Sequence, residues 1–132
     1  MLKVLKFGGT SVGTLDRIQN VANIIKKIKD EGHDVIAVVS AMSGETNKLI
    51  EYAEYYSKTP KADEIDMLLS SGERVTSALL SIALNEMGYK ATSMSGRQAG
   101  IMTDNAHTKA RIESIDTTEM KKTIKDGNII IV

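Results

Sequence analysis

Val35-Ile36-Ala37-Val38-Val39 is an unbroken apolar run, rich in β-branched residues and closed by Ser40. With no polar residue alternating along it, the run predicts a strand buried on both faces, as at the centre of a parallel sheet. The upstream flank agrees. Ile18, Val21, Ile24, Ile25 and Ile28 recur at helical spacing with charges between them. Thr14 stands where an N-cap belongs, Asp16 suits the first turn, and Gly32 is a stop signal. Further upstream, Val4 to Phe7 reads as a strand ending at Gly8-Gly9. Strand, amphipathic helix, strand is the repeating unit of an α/β fold. The expectation is an open, mainly parallel sheet flanked by helices.

Downstream, Met42 to Glu45 reads as loop and Asn47 to Tyr56 as helix, and Thr59-Pro60 breaks the pattern. Asp63 to Met87 is helical, with Ser70-Ser71-Gly72 leaving open two helices or one kinked helix. Gly88 ends it. Lys90 to Met94 is a short strand, Ser95 to Asn105 a loop or hairpin, Thr118 to Lys125 a helix, and Ile129 to Val132 a last strand. That strand is uncharged, β-branched and placed where the sequence stops. It is expected to lack a neighbour on one side, so that the chain self-associates either through this strand or through apolar faces that further residues would cover.

The chain of 132 residues balances 17 Lys and Arg against 17 Asp and Glu, so no basic excess points to nucleic acid. It has no Cys, which removes disulfides, thiolate metal sites and a Cys nucleophile and fits a cytoplasmic protein. Its apolar runs are far too short to span a membrane, and the N-terminal stretch lacks a signal peptide's long apolar region. At 42% hydrophobic and 26% charged, the composition is that of a folded globular domain.

Three stretches can carry chemistry. Lys6-Phe7-Gly8-Gly9-Thr10-Ser11-Val12-Gly13 runs from a strand through a Gly-rich turn to a helix. Such a turn is either a plain tight turn or a cradle whose N–H groups face a phosphate. It is no Walker A loop, because Thr14-Leu15 stands where Lys-Ser/Thr is required. Ser40-Ala41-Met42-Ser43-Gly44-Glu45-Thr46-Asn47 follows the most buried strand. Ser43 or Thr46 there either caps the next helix or helps hold a ligand at the carboxyl end of the sheet. Glu73, after Gly72, falls on an apolar stripe between Leu69 and Leu80. A carboxylate so placed needs a partner, either a substrate ammonium or a structural Lys or Arg. His33 is expected at the surface, and His107 lies in a polar loop with no second His at ligand spacing, so no metal site is assigned.

Taken in order, these motifs resemble the aspartate kinase family of the amino acid kinase superfamily. Lys6 to Val12 is similar to its N-terminal signature, Val39 to Leu49 to its second motif, and Leu69 to Arg74 and Gly96 to Ile101 to its third and fourth. The resemblance implies an amino acid kinase fold and transfer of the γ-phosphoryl group of ATP, with Mg²⁺, to the side chain of L-aspartate. It implies that catalytic Lys6 neutralises the moving charge and that Lys6, Phe7, Gly8, Gly9 and Ser40 hold ATP. Thr46 and Glu73 would bind aspartate, Glu73 through the α-ammonium. It also implies a cytoplasmic enzyme, a homo-oligomer at full length, with no nucleic acid or membrane partner. Similar proteins continue into a nucleotide-binding half and ACT regulatory domains that are absent here. Residues 1–132 therefore read as an N-terminal part of the catalytic domain, expected to be inactive alone. The alternatives are a glutamate-5-kinase-like or acetylglutamate-kinase-like enzyme, or a catalytically silent small-molecule-binding fragment.

Overall fold

The computed structural model describes residues 1–132. Four strands, β1 (Leu2–Phe7), β2 (Asp34–Val39), β3 (Ala91–Ser93) and β6 (Ile129–Ile131), form one parallel sheet in the order β1-β2-β6-β3. Between them run α1 (Leu15–Asp30), α2 (Glu45–Tyr56), α3 (Ala62–Glu86) and α4 (Thr118–Lys125), and β4 (Ile101–Thr103) pairs with β5 (Ile112–Ile115) as a separate antiparallel hairpin.

The run that predicts a central strand is one. β2 lies between β1 and β6, and Val35, Ala37 and Val39 enter the larger core with α1 and α3 while Ile36 faces the opposite way. Odd residues of β1 turn inward, so Leu5 and Phe7 pack on that core, whereas Leu2 and Val4 are exposed on the other face. The larger core holds 12 buried residues and the opposite one holds Ile36, Met94, Ala99 and Ile130, flanked by α4. α1 begins as read, with the Thr14 hydroxyl accepting from the Arg17 N–H at 3.2 Å, and closes at Gly32 with φ 91°.

Two expectations need correction and one open choice is decided. Of the two readings left open at Ser70-Ser71-Gly72, two helices fall away, because α3 is one element of 25 residues. Gly72 is buried against the loop after β2, where an added Cβ would come 2.9 Å from the Ala41 Cβ; the glycine serves a close approach. The last strand is not an unpaired edge. Ile129 N–H donates to Lys90 O at 2.7 Å on the β3 side and Val132 N–H to Ala37 O at 2.8 Å on the β2 side, so β6 is interior and its three isoleucines are fully buried. His33 is half-buried, and its Nδ1 is shielded without a hydrogen-bond partner.

Because every strand of the main sheet points the same way, the loops after β1, β2 and β3 and the residue after β6 gather at one end. The chain goes from β1 to β2, passes over one place to β3, and returns to fill the gap with β6. Ligands of open α/β sheets bind beside such reversals, outside the carboxyl ends of the strands.

Candidate functional site

Two recesses open at that end. The first belongs to the Gly-rich loop. Phe7 anchors the loop's start and Val12, fully buried, its middle. Two successive turns lie between them, closed by Ser11 N–H to Gly8 O at 3.0 Å and Gly13 N–H to Thr10 O at 3.4 Å. The N–H groups of Gly8, Gly9 and Thr10 have no acceptor within the chain. Together with the start of α1, these free donors make the loop a candidate anion cradle. A recess of about 160 Å³ beside it is lined by Thr10, Gly13, Thr14, Arg17 and Ser43. Arg17 Nη1 donates to Thr10 O at 3.2 Å, which sets a guanidinium at its edge.

The second loop locks onto the first. Ser43 Oγ donates to Gly9 O at 3.3 Å, and a Cβ on Gly13 would meet that hydroxyl at 2.9 Å. Neither Ser43 nor Thr46 caps α2. Its N-cap position is Gly44, at φ 81° and with no side-chain bond. The capping alternative therefore fails, and the Thr46 hydroxyl, exposed in the first turn of α2, has no partner in the chain.

The second recess is an open cleft of about 760 Å³. Ser70, Glu73, Arg74 and Ser77 of α3 form one wall, the Ser95-Gly96-Arg97-Gln98 turn the other, and Val132 lies beside them. The turn is held by reciprocal bonds, Ser95 N–H to Gln98 Oε1 at 2.9 Å and Gln98 N–H to Ser95 Oγ at 3.2 Å. That is the logic of a capping box, here fixing a loop wall. Glu73 is half-buried, and no Lys or Arg lies within salt-bridge distance of it. Within residues 1–132, then, neither of the two partners the sequence allows it is in place.

Ala41 joins the recesses. Its carbonyl oxygen lies 3.3 Å from where a Gly9 Cβ would stand, and its methyl group faces Gly72. Gly9, Ala41 and Gly72 thus stack the three motifs without side chains between them. Phe7 gives its side chain to the core and only its backbone to the cradle. Lys6 is exposed at the end of β1 on the face turned away from α1 and α3, with no carboxylate partner, and it lines neither recess; nor do Ser40 and Thr46. Sequence reading missed Ala41 and the cleft-facing Arg74. Arg97, within the fourth motif, also lines the cleft.

The sequence profile of the amino acid kinase family matches residues 1–132. An aspartate kinase of Stutzerimonas stutzeri is 52% identical over 131 residues, covering 99% of this chain and 32% of that protein. The chain thus spans about a third of the length of that relative. The crystal structure of aspartate kinase from Synechocystis superposes with a TM-score of 0.86 at 41% identity, covering 100% of this chain and 21% of that one. Escherichia coli aspartokinase III, in complex with aspartate and ADP, shares the fold at a TM-score of 0.80 and 19% identity over 99% of this chain and 40% of that one.

Proposed function

The chain belongs to the amino acid kinase family, and on that premise we propose that the protein transfers the γ-phosphoryl group of ATP to the side-chain carboxylate of L-aspartate, giving 4-phospho-L-aspartate. Residues 1–132 are, in this reading, the N-terminal part of the kinase domain. The observation that carries it is Glu73, an unpaired, half-buried carboxylate in a cleft joined through Gly72 and Ala41 to an anion cradle. A carboxylate partly withdrawn from water is costly until a cation reaches it. The α-ammonium of a free amino acid supplies that cation, and an N-acylated one does not.

The remaining residues take the roles that the family resemblance implies, while Lys6, Ser40 and Thr46 line neither recess. The free N–H groups of Gly8, Gly9 and Thr10 face phosphate oxygens, with Phe7 contributing backbone alone. Lys6, exposed and without a carboxylate partner, would reach the transferring group, Ser40 would lie beside the phosphates, and the Thr46 hydroxyl would meet aspartate. An aspartate carboxylate oxygen attacks the γ-phosphorus, the bond to the β,γ-bridging oxygen breaks, and ADP leaves. The attacking carboxylate is already ionised at neutral pH, so no general base is needed; positioning and charge stabilisation supply the catalysis. No group of three or more His, Asp or Glu side chains in the chain is arranged to hold a metal. Mg²⁺ suits a site made mainly of nucleotide phosphates and would there neutralise their charge.

The test is ADP release by the intact protein with L-aspartate, L-glutamate or N-acetyl-L-glutamate as acceptor, with hydroxylamine trapping the acyl phosphate. Aspartate should be preferred and its hydroxamate recovered. Preference for N-acetylglutamate, which has no ammonium to offer Glu73, overturns the reading.

A further inference from the structure

Thr108 is the only non-glycine residue with a positive φ, at 65°. It sits at the tip of the β4–β5 hairpin, and what holds it there is a residue 42 positions away. Thr108 N–H donates to Asp66 Oδ1 at 3.0 Å and Oδ2 at 3.3 Å, and His107 Nδ1 lies 2.8 Å from Oδ2. Asp66 belongs to α3. Successive steps of four, three and four residues lead from it to Ser70, Glu73 and Ser77, so all four share one helix face. At 1.5 Å per residue, Asp66 stands about 10 Å along the axis from Glu73, one turn beyond the end of the cleft.

The other end of the hairpin is fixed at the opposite wall. Gly100, at φ 86°, stands two residues after the Ser95–Gln98 turn that lines the cleft, and its carbonyl accepts from the Asp116 N–H at 2.9 Å. A Cβ at Gly100 would overlap the Asp116 carbonyl oxygen. The hairpin therefore starts beside the loop wall, and its tip rests on α3 one turn beyond the helix wall. Between those anchors it has little burial of its own: all of β5 is exposed, as are Met102 and Thr103 of β4. An element with so few buried contacts opens readily unless its tip is tied.

We infer that Asp66 is a positioning residue, which clasps the hairpin across the end of the Glu73 cleft and so keeps the amino acid site closed on that side. The inference rests on reading the cleft as that site. Untying the tip lowers the population of the closed form, and apparent affinity falls by the same fraction. Once substrate has bound and drawn the hairpin back, turnover proceeds from the closed state. KM for aspartate should therefore move and kcat should not.

Amide hydrogen exchange and steady-state kinetics of the intact protein test this, with Asp66→Ala and Thr108→Gly as variants. In Asp66→Ala, exchange across residues 104–111 should quicken by about tenfold or more. Its aspartate KM should rise about three- to tenfold, with kcat within about twofold and the ATP KM unmoved. Thr108→Gly keeps the N–H donor and tolerates the left-handed backbone, so protection and KM should stay near those of the parent. Unchanged exchange in Asp66→Ala overturns the clasp, and faster exchange with an unchanged aspartate KM overturns its role at the cleft. Glu73→Gln, measured alongside, separates the two readings. If it too leaves the aspartate KM untouched, the assignment of the cleft has failed and the positioning role falls with it, whatever the exchange shows.

Discussion

Glu73 and Gly72 are neighbours in sequence with opposite duties, one chemical and one steric. Glu73→Gln keeps the shape and one acceptor oxygen but removes the charge offered to an ammonium. A hydrogen bond to a charged group is worth roughly 1.5–3 kcal/mol, and partial exposure puts this one at the lower end, about tenfold in aspartate affinity. Calorimetric titration of the intact protein checks it, with ATP affinity as the internal control; equal weakening of both ligands would make Glu73 a structural residue. Gly72→Ala sets two effects against each other. Alanine gains up to about 1 kcal/mol of helix propensity, whereas overpacking costs typically 1–3 kcal/mol. The added Cβ would come 2.9 Å from the Ala41 Cβ, which is bonded to backbone and has no rotamer to escape into. Overpacking wins, with a net loss of about 1 kcal/mol. Denaturation of the single variant and of Gly72→Ala/Ala41→Gly measures it, the second change restoring what the first removes. A single variant more stable than the parent would show that the two backbones are not in contact.

At the scale of elements, what could be read from the sequence is what repeats locally. α1 has its cap, its apolar period and its stop within 19 residues, from Thr14 to Gly32, and all three hold except that Ile24 is exposed. β5 was missed because Ile112-Glu113-Ser114-Ile115 is exposed at every position, so no alternation against a core marks it. The choice at Gly72 stayed open because the atom that explains the glycine, on Ala41, lies 31 residues upstream. The site divides in the same way. The three motifs are contiguous and legible, while the stack through Ala41 and the Asp66–His107–Thr108 clasp join distant residues and leave no periodic trace. A surface cluster at the end of α1 gives the element-scale prediction. Lys26 Nζ lies 2.6 Å from Asp30 Oδ2, and the Tyr89 hydroxyl donates to Asp30. Asp30 is held below its ordinary 3.8 by hydrogen bonds from Lys26 and then Tyr89. Lys26 is raised above 10.5 and Tyr89 above 10.0, each chiefly by its bond to Asp30. A depressed carboxylate contributes stability above its unfolded value and loses it as pH falls through the folded one. A raised Lys or Tyr contributes below its unfolded value and loses it as pH climbs through the folded one. The stability difference between parent and Tyr89→Phe should hold across the neutral range and shrink at both extremes, as thermal midpoints against pH will show. A difference independent of pH would mean that Tyr89 acts by packing alone.

At the scale of the whole molecule, the place of β6 decides what the final residues do. Read as an unpaired edge, Ile129 to Ile131 would drive association, and Ile130→Lys would blunt the edge at little cost. In the structure Ile130 is fully buried between β2 and β3, in the smaller core with Ile36, Met94 and Ala99. No helix of the chain is long and apolar enough to cross a membrane. Substituting lysine there removes about 1.5–3 kcal/mol of side-chain burial. The ammonium must then stay charged without a partner or give up its proton well below its ordinary pKa, for several kcal/mol more. Against a domain stability of about 5–15 kcal/mol, the sum removes much or all of it. The same strand closes the gap between β2 and β3, so its loss would also part the loop after β2 from the Ser95–Gln98 wall and take the cleft with it. Ile130→Lys should consequently lose its cooperative thermal transition or shift it far down, with solubility falling rather than rising. Ile130→Val, a change of one methylene, should cost only about 0.5–1.5 kcal/mol. Circular dichroism melts and soluble yield of the two variants decide between the arrangements. A stable, more soluble Ile130→Lys protein would mean that β6 is an edge after all and that the sheet order β1-β2-β6-β3 is wrong.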